Sequence, residues 1–329
     1  MDAVAAIDLG GTRIRIALVG QGGEVLERRV LPTLPQEGPY RALERVAQEV
    51  RRVSRETDVW PLGVGMSSAG PIHYPEGTLT HPPNLPGWDG VTLATSLSQR
   101  LGLPVWADND ANMAALGEHT FGIAQKWDTF AFIIWGTGIG GGLVMEGGLV
   151  RGARGWAGEV GHIVVNANGP PCGCGGFGCV EALSAGPAIA RSARARFSPN
   201  TFPLLACIVG GDPQRISPEA LAEADLQGER EAGSFLVEAS RWLGVALASL
   251  ANALDLQGVV IGGGVSQSLH RALPTIRQVM NRHLIRGLKG RVPILPSLLG
   301  DDAGLLGAAQ MAWEHLSTDG IAKGNRGAL

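Results

Sequence analysis

The sequence predicts an α/β fold assembled from two similar segments, and three glycine clusters carry that prediction. Residues 3–7 form an apolar run ending in Asp8-Leu9-Gly10-Gly11-Thr12-Arg13, and residues 129–135 form another ending in Gly136-Thr137-Gly138-Ile139-Gly140-Gly141-Gly142. Each turn leads into a second strand, so each segment begins with a glycine-tipped hairpin. That recurrence suggests an internal duplication with a cleft between its halves. The third cluster, Gly262-Gly263-Gly264, closes a strand over residues 257–261.

The elements follow in order. After the first turn, Ile14, Ile16 and Leu18 alternate with Arg13, Arg15 and Ala17, which is strand periodicity. A dinucleotide fingerprint would open a helix there. A hairpin tip instead offers backbone N–H groups to an anion. Residues 24–31 read as a third antiparallel strand. Residues 40–55 have helical spacing, with Leu43, Val46, Ala47 and Val50 on one face. A buried strand over 62–66 runs into the tight loop Ser67-Ser68-Ala69-Gly70-Pro71. The segment PPNLPGW, 82–88, is too rich in Pro and Gly for regular structure, and its Asn84 and Trp88 read as a turn residue and a packing residue. A short amphipathic helix over 91–101 and a strand over 105–107 come next.

Asp108-Asn109-Asp110-Ala111-Asn112 joins that strand to a helix over 111–118. Asp and Asn at such a junction read as N-caps. The functional alternative is a carboxylate pointing out of the sheet's C-terminal edge, where α/β sites collect. Beyond the second hairpin, 187–196 and 230–254 are helical, and 210–225 holds turns and short helical pieces. Cys207, in the apolar PLLACIV, reads as a buried small hydrophobe. Gly262 to Gly264 suit close approach of backbone to a nucleotide, and Ser266 is expected to start a helix. Asp301 and Asp302 are expected to cap a last helix of small residues, and the polar tail from Ser317 to be frayed.

Three of the four cysteines, Cys172, Cys174 and Cys179, fall in one stretch, with His162 ten positions before the first. Three thiolates and an imidazole are a closed tetrahedral set for Zn2+. A disulfide is disfavoured because Cys172 and Cys174 are too close to pair comfortably. Reduced cysteines in a glycine-rich turn are the other alternative. Glu159 and Glu181 bracket the cluster, so a metal clamp there would fix two carboxylates together with His162.

At 329 residues the chain is long enough for two domains with separate cores. A net charge of −3 gives no reason to expect nucleic acid or an anionic membrane as a partner. No apolar run approaches the roughly 18 residues of a membrane span. Met1 leads almost directly into a strand, and a cytoplasmic protein is expected. Lys126, Lys289 and Lys323 are the only lysines, and none lies in a P-loop.

Taken together, DLGGT, DNDANMAALGE, GTGIGGGLV, GWAGEVGH, CGCGGFGCVE, IGGGVS and DDAGLLGAA resemble the ROK family of repressors and sugar kinases from Ala3 to about His315. The resemblance implies an actin-like, ribonuclease-H-like α/β fold, with a mixed five-stranded sheet in each of two lobes and a structural zinc loop. It implies a small lobe over 1–117 completed by the helix 301–316, a large lobe over 118–300 and a flexible tail over 317–329. ATP, Mg2+ and a sugar are the implied ligands, and a homo-oligomer, dimer or tetramer, the implied assembly.

By motif, Asp110 matches the family's catalytic base and Asn109 its sugar contact, while Glu159, His162 and Glu181 match the remaining hydroxyl ligands. Asn84 belongs to the same expected sugar site. Asp8, Gly10, Gly11, Thr12 and Arg13, with Gly136, Thr137, Gly138 and Gly262 to Gly264, are the expected nucleotide contacts, Asp8 reaching Mg2+ through water. His162 would serve both zinc and sugar, one ring nitrogen each.

Family repressors carry an N-terminal helix-turn-helix, whereas here Met1 is followed by a strand. The NLPGW segment is similar to the glucokinase branch, which implies ATP-dependent transfer to the 6-hydroxyl of D-glucose. The alternatives are a kinase for N-acetylmannosamine, mannose or fructose, and a non-catalytic sugar sensor. Arg154 and Trp156 depart from the small residues usual in that motif, and Arg13 from the usual Lys or Asn.

Overall fold

The computed structural model describes residues 1–74, 76–265 and 269–318. The chain runs β1 (Ala3–Leu9), β2 (Arg13–Val19), β3 (Val25–Pro32), α1 (Pro39–Thr57), β4 (Pro61–Ser68), β5 (Ile72–His73), β6 (Thr78–Leu79), α2 (Leu93–Leu101), β7 (Val105–Asn109) and α3 (Asp110–Thr120). It continues through β8 (Phe130–Trp135), β9 (Ile139–Met145), β10 (Gly148–Leu149), α4 (Val180–Ser184), α5 (Gly186–Arg196), α6 (Pro203–Ile208) and α7 (Pro218–Leu226). Then come α8 (Arg230–Leu254), β11 (Gly258–Gly262), α9 (Leu269–His283), β12 (Ile294–Pro296) and α10 (Ala303–Thr318).

Two five-stranded sheets repeat one plan, β3-β2-β1-β4-β7 and β10-β9-β8-β11-β12. In the first, β1, β2 and β3 pair antiparallel while β4 and β7 join parallel. In the second, β9 and β10 pair antiparallel and β8, β11 and β12 parallel. The chain forms two compact units. Among the described residues, one comprises Met1–Lys126, Gly142–Gly158 and those from Leu298 to Thr318; the other comprises Trp127–Gly141 and Glu159–Ser297.

In the first unit β1 is covered on both faces, so it reads as a nearly unbroken apolar run. Its period of two sends Ala5, Ile7 and Leu9 into a core with Leu43, Val46, Val50 and Val53 of α1. Val4 and Ala6 point the other way, to Leu305, Ala309, Ala312, Trp313 and Leu316 of α10. The edge strand β3 is instead largely accessible and carries Glu27, Arg28 and Arg29, which discourages further strand pairing.

Close packing fixes α3. A Cβ on Gly307 would overlap Met113 O, and one on Gly117 would overlap Ala303 O, so α3 and α10 meet at backbone distance. Gly142 and Gly65 make similar approaches, to Ala111 O and Ala308 O. Glu118 is wholly buried and is satisfied by backbone: it accepts from Ile123 N and from Leu299 N, each at 2.9 Å.

In the second unit α8 is the spine. By length and composition alone this 25-residue helix would cross a membrane. Its Phe235, Leu236, Leu243 and Leu247 are buried, however, and it packs on α9, α7, α5 and α4 as a core helix does.

Two sequence expectations change. Cys207 is exposed, because the short helix α6 turns Phe202, Leu205 and Val209 inward at helical spacing and Cys207 outward. The last helix continues through Ser317 to Thr318, and the remainder of the expected tail lies outside the described residues. The expected helix start at Ser266 also lies outside them, and α9 is described from Leu269.

Candidate active site and metal-binding loop

In the first unit the site is built by strand register. Asp8 of β1 lies opposite Ser67 of β4, which lies opposite Asp108 of β7, and the next row is Leu9, Ser68 and Asn109. These strands are parallel, so their carboxyl ends deliver the polar residues to one edge, the place where α/β folds collect ligands. A Cβ built on Gly304 would lie 3.6 Å from Asp8 Oδ1 and 3.9 Å from Asp110 O, so Asp8, Asp110 and the start of α10 converge.

The sequence left two readings of the Asp108-Asn109-Asp110 junction, and in the structure the capping falls to Asn109. Asn109 is the N-cap: its Oδ1 accepts from Ala111 N at 2.9 Å and from Asn112 N at 3.4 Å, and its Nδ2 donates to Gly70 O at 3.0 Å. Asp110 is the first helical residue, and its Oδ1 accepts from Ala111 N at 2.8 Å. Negative charge is favoured at that end of a helix.

Asp8 is more engaged than the sequence suggested. Its Oδ2 accepts from Arg15 Nε and Nη2 at 3.0 and 2.8 Å, and its Oδ1 from Ser67 at 3.0 Å. At the hairpin tip Gly11 is pressed against Asn84, where a Cβ would stand 2.9 Å from Asn84 O. The structure thus brings the first glycine turn and the NLPGW segment together. Gly10, Thr12 and Arg13 complete the turn, with Gly10 N donating to Arg13 O at 3.0 Å.

In the second unit the other two glycine clusters meet. Gly263, at φ 94°, lies against the backbone of Trp135, and a Cβ on Gly136 would be 3.7 Å from Gly264 N. Glu181, in the first turn of α4, accepts from Ile139 N at 2.9 Å and lies beside Gly138, with Gly136 and Thr137 just before it in the hairpin. The turn carrying Glu159 and His162 packs on the same point, because Gly161 abuts Ile139 O. Burial pushes the Glu159 carboxyl above its usual range, opposed by the neighbouring His162 charge and reinforced by that of Glu181.

The four expected metal ligands assemble. His162, Cys172, Cys174 and Cys179 present donor atoms all within 4.8 Å of one another. Cys172 Sγ lies 3.7 Å from His162 Nδ1, and Cys174 Sγ lies 3.7 Å from Cys179 Sγ. A tetrahedron with Zn–S bonds of about 2.3 Å has S···S edges of about 3.8 Å, and the Cys174–Cys179 separation is of that length. His162 turns Nδ1 to the thiols and Nε2 to Glu159 Oε2, 3.9 Å away.

Burial, with Cys174 and Cys172 adding to it, pushes Cys179 up to about 12, while the Gly176 backbone N–H holds Cys174 down. A bound divalent cation requires these thiols as thiolates. Cys179 is also the N-cap residue of α4, so the cage positions Glu181 two residues on.

Sequence reasoning missed Arg15, Ser67 and Arg151. Arg151 Nε donates to Asp108 Oδ2 at 2.7 Å across 43 residues, a separation at which no local pattern links them. Of the departures from the expected motif, Arg154 and Trp156 are both exposed.

A family model described as the ROK family matches residues 4–315. A glucokinase of Thermotoga maritima is 33% identical over 310 residues, covering 94% of this chain and 97% of that protein. An N-acetylmannosamine kinase of Escherichia fergusonii is 32% identical over 307 residues, covering 93% and 97%. The crystal structure of a ROK family glucokinase from Streptomyces griseus in complex with glucose and AMPPNP matches with a TM-score of 0.82 at 35% identity, covering 95% of this chain and 99% of that one. The two like-ordered sheets are thus those of the actin-like fold.

Proposed function

Since this chain belongs to the ROK family, we propose that it is a sugar kinase transferring the γ-phosphoryl group of ATP to the 6-hydroxyl of D-glucose. The observation that carries this reading is the placement of Asp110. It begins α3 at the carboxyl edge of the first sheet, beside Asp8, while Asn109 does the capping. Asp110 orients the sugar hydroxyl and takes its proton as the bond to phosphorus forms. Phosphoryl transfer passes through a loose transition state, so positioning and charge neutralisation supply most of the catalysis.

Asn84, Asn109, Glu159, His162 and Glu181 bind sugar hydroxyls in this reading. The backbone amides of Gly10 to Thr12 and of Gly136 to Gly138 hold the phosphates, and Gly262 to Gly264 admit the nucleotide. Asp8 is the residue that would face Mg2+, which supplies charge neutralisation. Its oxygens already accept from Arg15 and Ser67, which suits a ligand acting through the ion's own water. Zinc, in the cage of His162 and the three cysteines, holds the loop and takes no part in the transfer.

A coupled assay of ADP release across a panel of sugars tests the substrate. Turnover should be highest with glucose. The second reading, N-acetylmannosamine, draws on the relative of that activity at 32% identity. Turnover with that sugar and none with glucose would replace the first reading by the second. Asp110→Asn should abolish turnover while calorimetry still registers glucose binding, and full rate in that variant would refute the general base.

A further inference from the structure

We infer that Arg151 is a positioning residue for phosphoryl transfer, acting through Asp108 on the turn that carries Asp110. The inference rests on the assignment of Asp110 as general base. The Asp108 side chain is 2% exposed, so its charge needs partners on the spot. It has three donors. Asp108 Oδ1 accepts from Asn109 N at 2.7 Å and from Asn112 Nδ2 at 3.0 Å, and Oδ2 accepts from Arg151 Nε at 2.7 Å.

The first two contacts matter for Asp110. Asn109 is the N-cap of α3 and Asn112 lies in its first turn, so one carboxylate oxygen grips the backbone just before Asp110 and a side chain just after it. Asp110 is thereby held between two points of a single anchor. The third contact sets the anchor itself, because a carboxylate held on both oxygens cannot rotate about its last bond.

Arg151 is in turn fixed from outside the helix. Its guanidinium carbon lies 4.0 Å from the centre of the Tyr74 ring, and Tyr74 Oη lies 2.9 Å from His315 Nε2 of α10. His315 stacks on Trp106 of β7, with ring centres 5.0 Å apart and planes 6° from parallel. The bracket therefore closes from α10 through Tyr74, Arg151 and Asp108 to the start of α3. Arg151 also opens the loop to Gly158, so the same guanidinium ties that loop to the turn. A planar fork suits both contacts at once, and an ammonium would not.

The test compares Arg151→Met, Arg151→Lys and Asp110→Asn by steady-state kinetics with glucose and ATP, calorimetric glucose affinity and thermal melting. Misplacing a reacting group by an ångström costs on the order of a hundredfold in rate. Arg151→Met should accordingly lose about tenfold to a hundredfold in kcat while glucose Kd moves less than about threefold. Arg151→Lys should recover only part of that loss, and it carries the comparison if the Met variant does not accumulate as folded protein. Wild-type kcat per folded molecule in both variants, with any loss confined to the melting temperature, overturns the inference while Asp110→Asn stays inactive. Full rate in Asp110→Asn overturns instead the assignment on which the inference rests.

Discussion

Cys172, Cys174, Cys179 and His162 offer an ion four donors and leave no position for water, so what a bound ion supplies there is geometry. The purified protein should contain about one Zn2+ per chain by metal analysis. Cys172→Ser should lose it, melt roughly 5 °C lower or more and bind glucose more weakly. Undiminished activity and melting temperature in a metal-free preparation would refute the structural role. These ligands were legible because four residues of the right types lie within one short stretch. Cys207 was misread because composition marks a segment as apolar without saying which side of a short helix faces inward. Asn109 and Asp110 were legible as a pair, but which of them caps α3 was not, since that choice depends on backbone angles at one residue. Arg151 left no local signal at all.

At the scale of elements, α3 and α10 are set by glycines that let backbone touch backbone. Gly307→Ala would drive a methyl group into Met113 O, with neither helix free to retreat, since Gly65 and Gly142 seat their other sides. Denaturant unfolding should show a loss of about 3 kcal/mol or more. Gly287→Ala, with open space at its Cβ, should stay within about 0.5 kcal/mol. Equal stability of the two variants would mean that the helices can separate cheaply. The small residues of α10 announced close packing in the sequence, but its partners did not appear there, because that contact joins segments far apart in the chain. β2 and α1 were plain from their periods, and β1 from its unbroken apolar run. β5, β6 and β12, of two or three residues each, hold too few positions for any period to be read.

For the whole molecule, the repeated sheet order is what the paired glycine hairpins foretold, and each unit closes its own core. The first unit draws on widely separated stretches of chain, because α10 supplies Leu305, Trp313 and Leu316 to the face behind β1. A chain ending at Asp302 should therefore leave that face bare and collect in the insoluble fraction, and a soluble, sugar-binding truncation would contradict this packing. The same feature orders events on the ribosome. Strands β1 to β7 are made early, but the part of their second face that α10 covers stays bare until that helix has left the exit tunnel. Until then the nascent protein carries an unfinished amino-terminal half, so chaperones have their longest claim on it there, and the edge where Asp8 and Asp110 meet the start of α10 stays incomplete.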